Sequence, residues 1–218
     1  MSDRKKRVPS PGAALLGFAA AVLVFHHAPT LAGHTAGDWI DLVTPFAVIG
    51  AAVAVLISLR AGTPALVVAL LAALLYVDGH GIHLSANSIG HEPVHGEAER
   101  VRHFWDEEWG HAEWHLGWIG LIAAFCLADR ERRSPVARRI GVTTALMLGW
   151  TLFTSTVEGG TWWLELAGTA TLGGWALLER RPLLLTCAGA FVLAAALIGA
   201  WAAWQGGVPQ FSEVFSFV

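Results

Sequence analysis

The chain alternates long apolar runs with short polar connections along most of its length. A bilayer core of about 30 Å requires roughly 20 consecutive apolar residues in a helix. Runs close to this length occur at residues 12–32, 40–59, 63–85, 104–127, 140–158, 161–178 and 183–204. We therefore predict an all-α, polytopic membrane bundle with about seven transmembrane helices.

The segments outside these runs are too short for a second domain. We predict a basic N-terminus at residues 1–11, a single transmembrane bundle at 12–204 with a polar connection at 86–103, and a C-terminal tail at 205–218. The short connections "RAGTP", "EGGTW" and "ERRP" contain Gly or Pro, which favours antiparallel neighbouring helices in a compact bundle.

Composition and charge agree with a membrane protein and give an orientation. The chain is 55% hydrophobic and only 14% charged. Most Lys and Arg side chains precede the first run or lie in every second connection after it, so the positive-inside rule predicts an inside N-terminus and an outside C-terminus. No basic segment alternates with aromatic residues, so we expect no nucleic-acid partner. Membrane lipids are the expected partners, and the oligomeric state stays open.

The first apolar run raises the question of a signal peptide. The basic "RKKR" before it resembles the start of one. We expect no cleavage and a multi-pass protein of the cell membrane; removal of the run would leave six spans in the same orientation.

Histidines and acids are concentrated at one end of the predicted bundle. All ten histidines map to the outer connections or to the outer ends of the first, third and fourth spans. At 100° per residue, four polar side chains of the fourth span share one face, namely Glu107, Glu108, His111 and His115, while Asp106 falls on the opposite face. Histidines at i and i+4, as in "HAEWH", can bind one metal ion.

A second polar stripe follows the third span. It comprises Tyr76, His80, His83 and Asn87 at i, i+4, i+7 and i+11. Asp78 and Ser85 face away if the helix is regular, but Gly79 and Gly81 would allow a bend that turns Asp78 inward. Because 86–103 joins the outer ends of the third and fourth spans, the two stripes lie at matching depth. Ionisable groups within spans are costly and usually functional.

The two stripes together predict a metal site. The predicted ligands are His80, His83, His111 and His115; the candidate catalytic carboxylates are Glu107, Glu108, Asp78 and Asp106; and the supporting polar residues are Tyr76, Ser85, Asn87, Glu158 and Glu165. Glu158 opposes the dipole of a helix C-terminus, so we expect it to have a partner such as a metal or a histidinium. Imidazole and carboxylate suit Zn²⁺ or Fe²⁺, and we place zinc first.

A divalent ion at this depth would suit hydrolysis of lipids. Zinc lowers the pKa of a bound water, and a nearby carboxylate can carry the proton to the leaving group. At the outer leaflet such a site would meet lipid amide or ester bonds. The sequence therefore predicts a zinc-dependent membrane hydrolase.

The Asp, Ser, His and HxxxH residues of this bundle resemble the CREST superfamily of seven-span membrane metal hydrolases, which includes alkaline ceramidases and the adiponectin receptors. The resemblance covers about residues 76–118 and implies a zinc ion held by three histidines, with Asp and Ser assisting and a lipid amide as substrate. The matching residues are His80 or His83, His111, His115, Asp78 or Asp106, and Ser85. The HxxxH pair lies on the fourth span here and on the last span in the family.

Three other classes of protein stay open. The clusters "HH" at 26, "HGIH" at 80 and "HAEWH" at 111 resemble those of membrane di-iron desaturases, whose sites face the cytoplasm. Single histidines on facing helices could instead bind haem or copper. A metal-binding transport protein would need polar groups through the inner halves of the third and fourth spans, which lack them.

Overall fold

The computed structural model of the chain describes residues 9–90, 93–131 and 133–215, without the side chains of His34 and Glu131. The basic residues 4–7 and His91 lie outside the described residues. Every regular element in the described ranges is helical, and none is a strand. The prediction of an all-α chain is confirmed.

The helices follow the apolar runs closely. They are α1 (Pro11–Ala32), α2 (His34–Leu59), α3 (Thr63–Gly90), α4 (Glu97–His103), α5 (His111–Ala128), α6 (Arg138–Glu158), α7 (Trp162–Glu179), α8 (Pro182–Gln205) and α9 (Phe211–Val214). A π-helical turn, Phe104–Gly110, connects α4 directly to α5, and a short 3₁₀ turn, Asp129–Glu131, follows α5.

Five of these helices are long and apolar enough to cross a membrane. They are Pro11–Ala32, Thr35–Leu59, Thr63–Gly90, Arg138–Glu158 and Pro182–Gln205. The chain is therefore compatible with a multi-pass membrane protein. The helices α5 and α7 have 18 residues each and carry polar side chains in their first turns, so the full count of seven spans stays a prediction.

The bundle has two chemically different ends. In the packing, α1 contacts α2 and α6, α3 contacts α5, and α8 contacts α6 and α7. We call the end where α1 and α3 finish and α5 begins the histidine end, because it carries His26, His80, His83, His111 and His115. The opposite end carries a buried ion pair.

That ion pair joins the end of α5 to the turn between α7 and α8. The Arg181 side chain is 1% exposed and lies 3.5 Å from the Asp129 carboxylate, which is 0% exposed. Arg181 also lies 2.9 Å from Glu179 and donates to the carbonyl oxygen of Cys126 at 3.0 Å. A buried arginine needs such partners, so this cluster fixes where α5, α7 and α8 meet.

The helices α3 and α5 approach each other backbone to backbone. A Cβ atom on Gly79 would lie 2.3 Å from the backbone nitrogen of Trp114, and one on Gly117 would lie 2.3 Å from that of Tyr76. Small residues allow this close approach between membrane helices. The contact fixes the depth of the α3 histidines relative to those of α5.

The polar segment 86–103 is mostly helical, unlike the predicted connection. Residues 86–90 complete α3 and 97–103 form α4, which leaves 93–96 as its described non-helical part. In α4, Arg100 pairs with Glu97, and Arg102 pairs with Glu99 at 2.7 Å, both at i and i+3. Such pairs, with acids in the first turn, stabilise a short surface helix that has no apolar run to reveal it.

Candidate metal centre

The π-helical turn decides which carboxylate faces the histidines. The His111 N–H donates to the Asp106 carbonyl oxygen, five residues earlier, instead of to residue 107. In a regular α-helix residues five apart point about 140° away from each other, whereas in a π turn they lie on the same side of the helix. The predicted placement of Asp106 on the opposite face was therefore wrong. Asp106 is buried and lies on the same side of the helix as His111.

His83, Asp106 and His111 converge at this turn. The His83 Nδ1 lies 2.7 Å from an Asp106 carboxylate oxygen, and the His83 and His111 ring centres are 4.4 Å apart. One donor atom from each of the three residues lies within 4.8 Å of the others. We call this group the His–Asp centre. Two imidazoles and a carboxylate are the donor set of many divalent metal sites.

A positive charge holds the Asp106 carboxylate in place. Arg102 donates to its second oxygen at 3.0 Å and to Glu99 at 2.9 and 2.7 Å. The hydrogen bonds between Arg102 and Glu99 lower the pKa of Glu99 and raise that of Arg102. Arg102 thus stays charged and orients Asp106 toward His83.

A polar cleft reaches the His–Asp centre through Glu107. The cleft has a volume of about 510 Å³ and is bordered by Glu107, the start of α7 and the C-terminal segment. A Glu107 oxygen lies 3.5 Å from Nδ1 of His111 and accepts a hydrogen bond from Gln210 at 3.1 Å. The Nδ1 atom of His111 is buried, and the Glu107 oxygen at 3.5 Å is too distant for a normal hydrogen bond to it. A buried nitrogen that is so weakly satisfied fits a metal ligand.

The other two predicted ligands lie beside the centre and have other partners. The Nε2–H of His80 donates to the Asp41 carbonyl oxygen on α2 at 2.9 Å. The Nδ1 of His115 lies 2.5 Å from the Thr161 hydroxyl oxygen at the start of α7. Of the four predicted histidines, the structure brings His83 and His111 together with Asp106, and it places His80 and His115 in the surrounding wall.

Aromatic rings complete that wall. The His26 ring stacks on the rings of Trp114 and Trp118, with ring centres 5.0 and 4.9 Å away. Its Nδ1–H donates to the Val22 carbonyl oxygen at 2.8 Å, which leaves Nε2 to accept from the predicted supporting residue Tyr76 at 3.4 Å. The sequence placed His26 only at the outer end of the first span. The structure shows that it faces inward, one α1 turn beyond the buried Val22.

A glycine allows the wall to close over the two α5 histidines. A Cβ atom on Gly159 would lie 2.8 Å from the His111 ring and 3.0 Å from the His115 ring. The sequence predicted a helix C-terminus at Glu158, where α6 does end, but nothing in the sequence indicated that a larger residue at Gly159 would collide with the His111 ring.

Several other predicted site residues lie away from the centre. The helix α3 stays regular through Gly79 and Gly81, so Asp78 remains exposed on its far face. Ser85 is exposed there as well and donates to the Gly81 carbonyl oxygen at 2.7 Å. Glu108 is exposed, and Asn87 is half-buried without a hydrogen bond among the described residues. These four residues do not join the centre.

The two glutamates of α6 and α7 have different surroundings. Glu158 accepts hydrogen bonds from the backbone N–H groups of Phe211 and Ser212, at 2.8 and 3.2 Å. The sequence predicted a metal or a histidinium as the partner of Glu158. The structure shows that its partner is instead the first turn of α9. Glu165 is fully buried in α7, where the Thr169 hydroxyl donates to it at 3.4 Å.

Comparison with known proteins finds no matching family model, no similar curated protein and no similar solved structure. The resemblance to CREST hydrolases stays a prediction.

Proposed function

We propose that the protein is a seven-span membrane hydrolase that binds a divalent metal ion through His83, Asp106 and His111 and cleaves an amide or ester bond of a lipid. The observation that carries the proposal is the convergence of three donor atoms within 4.8 Å. Zinc fits this donor set, and ferrous iron is the second choice. When bound, such an ion polarises a carbonyl group or a water molecule, which is the chemistry that hydrolysis needs.

Seven spans follow if α5 and α7 cross with the five apolar helices. Eleven of the 18 residues of α5 are buried, including His111 and His115. A helix screened from lipid by its neighbours needs a less continuous apolar surface than one that faces lipid. The arginines at the opposite end of the bundle support an outside location for the histidine end.

The protein's own groups have separate tasks in this proposal. Arg102 binds one oxygen of Asp106 and so directs the other oxygen toward His83 and the position between the three donor atoms. Glu107 borders the polar cleft and reaches His111. It is therefore placed to take a proton from water that enters the cleft and to return it to the leaving group.

Metal analysis of the detergent-purified protein tests the centre. We expect close to one equivalent of zinc or iron in the wild type and in His103→Gln, a control at an exposed histidine. His111→Gln and Asp106→Asn should each retain at least tenfold less, as expected when a ligand or the partner of a ligand is lost. Equal metal content in all four proteins, or no metal in the wild type, would show that these residues do not form a metal site.

Release of fatty acid from mixed lipid vesicles tests the reaction. In the metal-loaded protein, Glu107→Gln should lower turnover by about 10²–10⁴-fold and keep the metal, because it removes only the proton carrier. Metal binding without release of fatty acid would support the metal site and contradict the assignment as a hydrolase. An absorption spectrum of the same sample separates zinc from haem or di-iron.

A further inference from the structure

A large apolar groove lies along α3 and shares no lining residue with the polar cleft. It has a volume of about 1210 Å³ and is lined by α3, α4, the π turn and α5. Its walls include Leu74, Val77, Ile89, Val101 and Trp105. The volume exceeds the range of about 300–1,000 Å³ typical of small-molecule sites, so the groove has room for part of a lipid.

The groove carries uncompensated negative charge. Of its four charged residues, Arg102 is paired with Glu99 and Asp106, and Glu97 is paired with Arg100. The other two are carboxylates. Glu113 accepts only from the neutral indole of Trp109, at 3.0 Å, and Asp78 has no hydrogen bond or ion pair among the described residues.

Both carboxylates line the groove, and Asp78 lies at membrane depth. A Cβ atom on Gly79 would lie 2.9 Å from the carbonyl carbon of Glu113, so Asp78 and Glu113 flank one backbone contact. Asp78 is 15 residues into α3, or about 22 Å from its start, within a bilayer core of about 30 Å. An exposed carboxylate at that depth is costly without a cationic partner.

We infer that the groove binds a membrane lipid with a protonated amine in its headgroup. The amine would pair with Asp78 and Glu113, and the acyl chain would follow Leu74 and Val77 along α3. These two apolar side chains are exposed on a membrane-length helix, where lipid chains are the surrounding medium.

The groove also reaches the His–Asp centre. Arg102 lines the groove and contacts Asp106 at 3.0 Å, so a headgroup in the groove lies one side chain away from the centre. Because a bound headgroup would lie so close to the centre, lipids with an amine headgroup would be the substrate class of the hydrolase. That last step rests on the proposed function, whereas lipid binding in the groove does not.

Native mass spectrometry of the full chain tests the groove with two probes, phosphatidylethanolamine and phosphatidylglycerol of identical acyl chains. We expect the wild type to retain the ethanolamine lipid about tenfold more than the glycerol lipid, because an ion pair gains strength in a partly desolvated groove. The double variant Asp78→Asn, Glu113→Gln should lose this preference. Glu108→Gln is the matched control, since Glu108 borders the polar cleft instead, and it should keep the preference.

Several results would overturn the inference. They are equal retention of the two lipids by the wild type, an unchanged preference in the double variant, loss of the preference in Glu108→Gln, or a lipid-free dimer, which would assign the groove to a second copy. Metal content measured on the same samples separates the two proposals. A wild type without metal that still prefers the amine lipid refutes the proposed function alone, and a metal-loaded wild type without preference refutes this inference alone. Wild-type metal content in the double variant shows that it is folded.

Discussion

Replacement of Gly79 by alanine is expected to force α3 away from α5. The new methyl group would lie 2.3 Å from the backbone nitrogen of Trp114 and 2.7 Å from the carbonyl oxygen of Gly110, whereas ordinary contact begins near 3.4 Å. Neither obstacle is a flexible side chain, so the two helices must separate locally by about 1 Å.

Gly81 provides a control on the same helix. A Cβ atom at Gly81 meets nothing within 4 Å, so Gly81→Ala changes only the helix propensity, which favours alanine by about 1 kcal/mol. The same gain applies at Gly79 and cancels in the comparison. The difference between the variants is then the cost of overpacking, about 1–3 kcal/mol.

Thermal unfolding in one detergent, followed by size-exclusion chromatography of the surviving protein, measures this difference. For a chain of this size, about 1 kcal/mol shifts the Tm by roughly 2–4 °C, so Gly79→Ala should unfold roughly 2–12 °C below Gly81→Ala. The same variant should bind less metal, because the separation lies between His83 on α3 and His111 on α5. Equal Tm values for the two variants would show that α3 and α5 do not touch at Gly79.

Two further substitutions test the two ends of the bundle. Glu158→Gln weakens the charge-assisted hydrogen bonds to the first turn of α9, so amide exchange at Phe211 and Ser212 should rise by about tenfold; exchange no faster than in a Glu108→Gln control would contradict this role. Arg181→Met leaves the buried Asp129 carboxylate unpaired, which costs about 3–5 kcal/mol and should lower the Tm by at least roughly 6 °C. Adding Asp129→Asn should recover part of that loss, and a Tm unaffected by Arg181→Met would show that the pair is not formed.

The lengths of the apolar runs predicted most of the fold. The runs at 63–85 and 183–204 became Thr63–Gly90 and Pro182–Gln205, because a membrane-length apolar run admits little besides a helix. The pattern of apolar and polar residues did not predict the helix α4. Its charged sequence "EAERVRH" has only Ala98 and Val101 as apolar residues, and its stability comes from ion pairs and from continuation into α5.

Helical periodicity predicted the facing histidines of the centre but not their roles. His80 and His83 occupy the same stripe, but only His83 belongs to the centre. His80 belongs to the surrounding wall because it donates to the Asp41 carbonyl oxygen of α2. Asp106 was misplaced because a regular 100° step was assumed through a π turn. The turn brings Asp106 into tertiary contact with His83 on α3, and no local pattern of residues specifies that contact.

The π turn makes the centre depend on the number of residues and not only on their identity. Deleting Phe104 or Trp105 would let the segment become a regular α-helix, in which Asp106 and His111, five residues apart, point about 140° away from each other. Asp106 would then leave His111, although every side chain of the centre would still be present in the sequence. Such a deletion should therefore abolish the centre in a related chain that keeps His83, Asp106 and His111, and an alignment that scores residue identity alone would overlook the loss.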